Sequence, residues 1–492
     1  MHLTETPSWK NVEATLYKIW GYESFRFPQA EIVQSLLTQR DVLVILPTGG
    51  GKSICFQLPA LLQSGLTLIV SPLVALMENQ VQELHQRGGS FQHSVALLHS
   101  ELSGWQRKIV LRSLEQQRLR LLYLSPETLL SQPVWERLCQ PALKINGLIL
   151  DEAHCLTQWG DTFRPTYYRL GAVRPALLKH KPAGSQIVIA AFTATANPLA
   201  QQTIQRILQL QEPQVFRLNP YRSNLALKVQ VVWTPRGRRQ QLLKFIQTKP
   251  NQSGLVYVRT RRDSEALAEW LGHQGYQTAA YHAGLSPTER RQIEQAWLGK
   301  DIQFVVCTCA FGMGINGQNG VRWIFHFHAP NLLSEYVQEV GRAGRDGQPA
   351  EALMLISEPS GFLDSADRQR WQFFREQAQR QHQIARKLAK QIPLQGDIGT
   401  VTRQFKDGAI ALSLLHHSGQ LEWEDPFRYV INRSSGSHCP TQNQGVQEMT
   451  RFLRTNQCRW KFIMGAFGFP EEAAAMEKGC GHCDRCVSRR LH

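Results

Sequence analysis

Short runs rich in β-branched residues recur along this chain, and each is followed by a longer stretch of helical character. DVLVILP, LTLIVSP, LRLLYLSP, NGLILDE and QIVIAAFTAT come first. SGLVYVRT, QTAAYHAG, QFVVCTCAFG, VRWIFHFHAP and AEALMLIS follow. A continuous apolar run of strand length fits a strand buried on both faces, as in a parallel sheet covered by helices. The alternation predicts two doubly wound α/β lobes, residues 1–208 and 209–360. A chain of 492 residues is long enough for more than one core, since single cores rarely exceed roughly 250–300 residues.

The 55 Lys and Arg outnumber 39 Asp and Glu, for a formal charge of +16. Such an excess favours a polyanionic partner or an acidic membrane surface, and charge alone does not choose between them. No apolar run approaches the ~18 residues of a membrane span, and MHLTETPSWK lacks the pattern of a secretion signal. A soluble intracellular protein with no membrane partner is therefore expected: cytoplasmic, beside the nucleoid in a bacterium or in the nucleus of a eukaryote. The ten cysteines are spread through an enzyme-sized chain, which favours reduced thiols. Cys55, Cys139 and Cys155 read as packing residues, and Cys307 and Cys309 as one face of the QFVVCTCAF strand.

Beyond the lobes, residues 361–392 read as a solvated connecting helix and 393–435 as a small winged-helix-like unit. The latter ends in the aromatic hairpin LEWEDPFRYVI, with Asp425-Pro426 in its turn. SSGSHCPTQNQG reads as a linker leading into a last module, 436–492, whose helical part is 443–486.

DVLVILP runs directly into Thr48-Gly49-Gly50-Gly51-Lys52-Ser53 and a helix-like SICFQLPALL. Glycines let successive backbone N–H groups wrap a phosphate, Lys52 reaches the terminal phosphates of ATP, and the Ser53 hydroxyl holds Mg²⁺. Leu46 stands where the strict pattern has its first glycine. About a hundred residues on, the GLIL strand ends in Asp151-Glu152-Ala153-His154, at the sheet edge where ligands of such folds bind. Asp151 suits Mg²⁺ and Glu152 the activation of a water, with His154 linking the nucleotide to the strand-binding side. In the second lobe, Arg342 and Arg345 follow a helix-like SEYVQEV, placed to reach a γ-phosphate.

Together these pieces resemble the RecQ helicases over most of residues 15–360. By that resemblance the lobes are RecA-like, Tyr22 stacks on adenine, and Arg26 and Gln29 hydrogen-bond it. Arg345 is the arginine finger and Arg342 its helper. Ser71-Pro72-Leu73 and Ser125-Pro126-Glu127 match strand-binding turns, and Thr193-Ala194-Thr195 the segment that couples hydrolysis to unwinding. FGMGIN (311–316) matches a further second-lobe motif. Trp159, Phe163 and Arg164 fall in an aromatic-rich loop that reports single-stranded DNA to the ATP site, although the usual GHDFRP here reads GDTFRP. The resemblance implies an ATP-dependent DNA helicase moving 3′ to 5′ on single strands and opening branched or tailed duplexes in repair and recombination. Its protein partners are not legible.

Cys458 and the cluster Cys480, Cys483 and Cys486 offer four thiolates in two-residue spacings, a tetrahedral Zn²⁺ set. His482 is expected to point away, and His438 and Cys439 to be unligated. The family usually places this module directly after the motor with a winged helix beyond it. Here the winged-helix-like unit precedes Cys458, and the C-terminal helical domain of many relatives is not expected. An RNA helicase of the DEAD or DEAH class would share the phosphate loop but not the zinc module with FGMGIN. A non-catalytic DNA-binding protein would not keep every ATPase position.

Overall fold

The computed structural model describes residues 7–89, 91–157, 164–311, 320–358, 365–432 and 443–490. The chain divides into two compact bodies that interleave along the sequence. The first is built chiefly from residues up to Leu218 together with Gln377–Pro440, the second chiefly from Asn219–Glu376 together with Thr441 onward.

The first body holds seven strands: β1 (Val42–Ile45), β2 (Leu66–Val70), β3 (Val95–Leu98), β4 (Leu121–Leu124), β5 (Ile145–Leu150), β6 (Val188–Thr193) and β7 (Gln214–Arg217). They pair in the order β3-β4-β2-β5-β6-β1-β7, all parallel. Strands β1, β2, β4, β5 and β6 are buried at every residue, as their unbroken apolar runs predict. Because β7 pairs with β1, the first lobe's sheet reaches Arg217, and the body's first segment closes at Leu218 rather than at residue 208.

The second body carries six parallel strands: β8 (Leu225–Val232), β9 (Gly254–Tyr257), β10 (Thr278–Tyr281), β11 (Phe304–Cys307), β12 (Trp323–His326) and β13 (Ala350–Ser357). Their order is β10-β11-β9-β12-β13-β8. β11 ends at Cys307, so buried Cys307 belongs to a strand face as expected, whereas Cys309 lies past the strand and is exposed.

A 23-residue helix, Ala366–Leu388, runs out of the second body into the first. Near its start Asp367 is held in the second body, accepting from Ser357 N at 2.7 Å and Arg238 NH2 at 3.2 Å. Near its end Ala385 and Leu388 join a separate small core in the first body. That core belongs to β14 (Gln395–Asp397), helices Ile398–Gln404 and Gly408–His417, β15 (Leu421–Trp423) and β16 (Arg428–Ile431). The antiparallel order β14-β16-β15, with two helices between its first and second strands, is winged-helix topology. The hairpin turn is set by Asp425, whose Oδ1 accepts from Phe427 N and Arg428 N at 2.8 Å each.

Helices Asn443–Arg454 and Arg459–Ala466 do not form a separate unit, as the sequence leads one to expect of the last module. Met449, Phe452, Leu453, Trp460 and Ile463 share one apolar cluster with Leu225, Tyr336 and Val340 of the second lobe. Trp460 Nε1 donates to Leu225 O at 3.0 Å, and Asp484 Oδ2 accepts from Val229 N at 3.3 Å.

Candidate active site and zinc centre

Buried β1 delivers the chain to the phosphate loop, where Gly49 (φ 82°) and Gly51 (φ 71°) take left-handed backbone that a side chain would strain. Helix Lys52–Leu62 begins immediately after Gly51, so Lys52 and Ser53 sit in its first turn, where free N–H groups and the helix dipole favour phosphate. Lys52 Nζ donates to Leu46 O at 3.1 Å. Leu46, at the position of the missing first glycine, thus parks the lysine through its backbone, which any residue type can do.

Gln29 lies against this loop. Its Nε2 donates to Gly50 O at 3.2 Å and its Oε1 accepts from Arg26 N at 2.9 Å. A Cβ on Gly51 would stand 2.2 Å from Gln29 Nε2, so the glycine makes room for the glutamine. Tyr22 and Arg26 are exposed on the same segment.

At the carboxyl end of β5, Asp151 is buried and accepts from Gln80 Nε2 (3.3 Å) and from Glu152 N (3.1 Å). Burial and the neighbouring Glu152 carboxylate push its pKa up to about 6, against the pull of Lys52. Glu152 adopts left-handed backbone at φ 54°, a conformation costly for a residue with a Cβ. That twist turns its carboxylate toward His154, whose Nδ1 lies 3.1 Å from both Glu152 Oε2 and Thr193 Oγ1. Thr193 Oγ1 in turn accepts from Thr195 N at 3.2 Å. His154 Nδ1 is therefore the point at which Glu152 and the Thr193-Ala194-Thr195 segment come together. Asp151 with Ser53 fits the oxygen ligation of a magnesium–nucleotide, because both offer oxygen and the buried carboxylate keeps free lone pairs.

Among the strand-binding residues the sequence singled out, Ser71 and Pro72 are buried at the end of β2. The Ser71 hydroxyl finds no hydrogen-bond partner among the described residues. Arg164 is partly exposed, 3.6 Å from Glu127. Trp159, Phe163 and Gly312–Asn316 of FGMGIN lie outside the described residues, as do His438 and Cys439.

In the second body, Arg342 and Arg345 follow helix Leu333–Val340; Arg342 is buried and Arg345 half-buried. Beneath them lies a charged cluster that the sequence did not disclose. Arg259 forks onto Glu339 (NH1 to Oε1 3.1 Å, NH2 to Oε2 2.9 Å), and His326 Nε2 sits 2.9 Å from Glu339 Oε2. Burial alone would raise the Glu339 pKa, but Arg259 and His326 outweigh it and hold it at about 2. Its signal was faint, a lone Arg after a strand and a Glu inside an amphipathic helix.

The four cysteines of the last module converge. Their Sγ atoms all lie within 4.8 Å of one another, with Cys480–Cys486 and Cys458–Cys483 at 3.9 Å. Tetrahedral Zn–S bonds of ~2.3 Å require S···S edges of about 3.8 Å, so the set fits zinc and is far too open for disulfides. Backbone N–H groups of Cys480 and Cys483 donate to Cys458 Sγ (3.2 Å) and Cys480 Sγ (3.3 Å), which favours thiolates. His482 Nδ1 pairs with Cys480 O at 2.7 Å, away from the cluster as expected.

Two parallel-sheet bodies, with a phosphate loop and an Asp-Glu-Ala-His turn in one and paired arginines in the other, define the motor of a nucleic-acid helicase. Family models agree: "DEAD/DEAH box helicase" over residues 26–204, "Helicase conserved C-terminal domain" over 237–347 and "RecQ zinc-binding" over 425–487. An "ATP-dependent DNA helicase RecQ" of Synechocystis is 52% identical over 98% of this chain and 99% of its own length. The protein of that name from Pasteurella multocida is 38% identical over 73% of this chain, and the match spans 54% of that protein. The chain belongs to the RecQ family of ATP-dependent DNA helicases, which use ATP with Mg²⁺ and carry Zn²⁺. In fold it is similar to S. cerevisiae Dbp5 bound to RNA (TM-score 0.58, 16% identity, 73% of this chain and 91% of that one). It is likewise similar to the DUF1998 helicase MrfA bound to DNA (TM-score 0.58, 17% identity, 91% and 65%). No described helix is long and apolar enough to cross a membrane.

Proposed function

We propose that this protein couples ATP hydrolysis to 3′-to-5′ translocation along single-stranded DNA and so opens branched or tailed duplexes, in repair and recombination of the chromosome. The observation that carries the reading is the run of close polar approaches Glu152–His154–Thr193–Thr195, which joins the carboxylate assigned to hydrolysis to the Thr193-Ala194-Thr195 segment. An ATPase with no mechanical task has no need of such a path.

Lys52 would leave Leu46 O to neutralise the terminal phosphates, and Ser53 and Asp151 would hold the magnesium, which would offset phosphate charge when bound. Glu152 orients the attacking water, and His154 shares Glu152's charge with Thr193. Gln29, fixed to the phosphate loop, reads adenine with Arg26 while Tyr22 covers its face. Arg345 and Arg342 stabilise charge on the transferred phosphoryl group. Single strands are held mainly through phosphates by the basic surface, Arg164 included, with Trp159 and Phe163 stacking on bases. A bacterial source would place this work in the cytoplasm on the nucleoid.

The test is ATP turnover with no nucleic acid, single-stranded DNA or single-stranded RNA, followed by unwinding of duplexes with 3′ or 5′ tails. DNA stimulation and preference for the 3′ tail are expected. Stimulation by RNA alone, or equal unwinding from 5′ tails, overturns the reading.

A further inference from the structure

In helix-turn-helix proteins the second helix of the motif enters the major groove, and its Arg, Lys, Asn or Gln side chains read bases. The second helix here, Gly408–His417, reads GAIALSLLHH and has none of these residues. None of its residues is exposed. The cations of residues 393–435, Arg403, Lys406, Arg428 and Arg433, are outnumbered by Asp397, Asp407, Glu422, Glu424 and Asp425, against the strongly basic trend of the whole chain.

What occupies this helix and wing is the first lobe. Ser413 Oγ lies 3.3 Å from Pro165 O, Arg206 NH2 donates to His417 O at 2.9 Å, and the rings of His416 and His417 pack edge-on to Tyr168 at 6.1 and 6.0 Å. At the wing, Arg169 Nε donates to Pro426 O at 2.6 Å with its guanidinium 5.6 Å from the Phe427 ring. Phe427 also packs edge-on against Trp135 at 5.3 Å. Fully buried Tyr168 donates its hydroxyl to Leu156 O at 2.9 Å. Leu156 closes the one-turn helix Ala153–Leu156, which contains His154 and directly follows Glu152. Two contacts therefore separate the winged-helix unit from the hydrolytic carboxylate.

We infer that the winged-helix unit is no DNA reader but a brace docked by its second helix and wing on the first lobe, where it positions the Glu152–His154 turn through Tyr168. Burial, with nearby Arg206 and His417, pulls the His416 pKa down to about 4, so its packed ring stays neutral through the physiological range. The inference adds to the helicase reading but is tested partly without DNA.

In the full-length protein, Arg403→Glu with Lys406→Glu reverses two exposed cations of the unit. Affinity for single-stranded and tailed duplex DNA is expected to stay within about twofold, whereas weakening beyond about fivefold overturns the inference, since a phosphate-contacting face would respond steeply. Phe427→Ala is expected to lower kcat for ATP about fivefold with and without DNA at unchanged KM and DNA affinity, the pattern of a misplaced catalytic group. Phe427→Tyr should restore kcat. Arg169→Gln, which leaves the unit's own core intact, should repeat the split even if Phe427→Ala fails to fold. An unchanged kcat in Arg169→Gln, or equal changes in kcat and KM, overturns the brace. Wild-type turnover that ignores DNA sinks the helicase reading alone, because the DNA-free kcat still decides the brace.

Discussion

Arg259→Ala tests whether the buried cluster beneath Arg342 holds the second lobe together. Its guanidinium forks onto Glu339, and both side chains are under 8% exposed, at 7% and 4%. Holding Glu339 at about 2 rather than 4.5 corresponds to about 3 kcal/mol at neutral pH. Removing the arginine strands a carboxylate in the interior, and losses of ~3–5 kcal/mol are typical. At roughly 2–4 °C per kcal/mol for a domain of this size, the second body should melt about 6–12 °C lower for the smaller value. Because two bodies need not unfold together, hydrogen exchange at β9 and β12 should follow that body alone. The pH dependence has a fixed sign. A depressed carboxylate pKa contributes stability above the unfolded value of about 4.5 that disappears as pH falls toward 2, so mutant and wild type should converge in acid. Arg259→Met with Glu339→Gln removes both charges and should recover most of the loss. A single mutant that melts within 2 °C of wild type at pH 7, or a gap that widens in acid, refutes the reasoning, since ~1 kcal/mol alone would move it that far.

Asp151→Asn should abolish turnover yet stabilise the nucleotide-free protein above pH 6. Its carboxyl is raised from 3.8 to about 6, so ionisation costs the fold progressively between those two values and fully above the higher one; urea unfolding should show a larger gain at pH 8 than at pH 5. Magnesium–nucleotide affinity should weaken below pH 6 as the same group protonates, readable by titration calorimetry. Glu152→Gln should retain nucleotide binding and lose hydrolysis by at least about a hundredfold, with lost binding counting against its assigned role. Cys483→Ser should drop metal content from about one zinc per chain. Because that cysteine lies in the second lobe's core cluster, exchange should accelerate in β8 as well as in the last helices. Protection of β8 unaltered by zinc loss would contradict the shared core.

The strands that carry the chemistry were readable because burial on both faces leaves an unbroken apolar run, as in VLVI before the phosphate loop and INGLIL before Asp151. β7 escaped because an edge strand with one buried residue, Phe216, has no such run. β8 escaped because Lys228 and Gln230 interrupt its pattern where only one face is covered. The cysteine cluster was legible from spacing, yet the partner of its helices was not, since Trp460 and Leu225 are remote in sequence. GAIALSLLHH reads as a core helix whichever core it enters, and only the fold shows that its neighbours include Tyr168. The winged-helix topology was legible; the use of its reading face was not.

The interleaving of the two bodies sets the order in which this protein matures on the ribosome. The second lobe's sheet is complete once Ser357 has been made, but the apolar surface around Leu225 and Tyr336 is covered only by residues 449–486. At ~5–20 residues per second of synthesis, that surface waits several seconds or more for Trp460 and the cysteines to emerge. A cell short of zinc would then accumulate chains with an intact ATP site and a sticky flank, targets for chaperones and proteases. Metal supply would thus govern how much of this enzyme survives its own synthesis rather than how fast each molecule works.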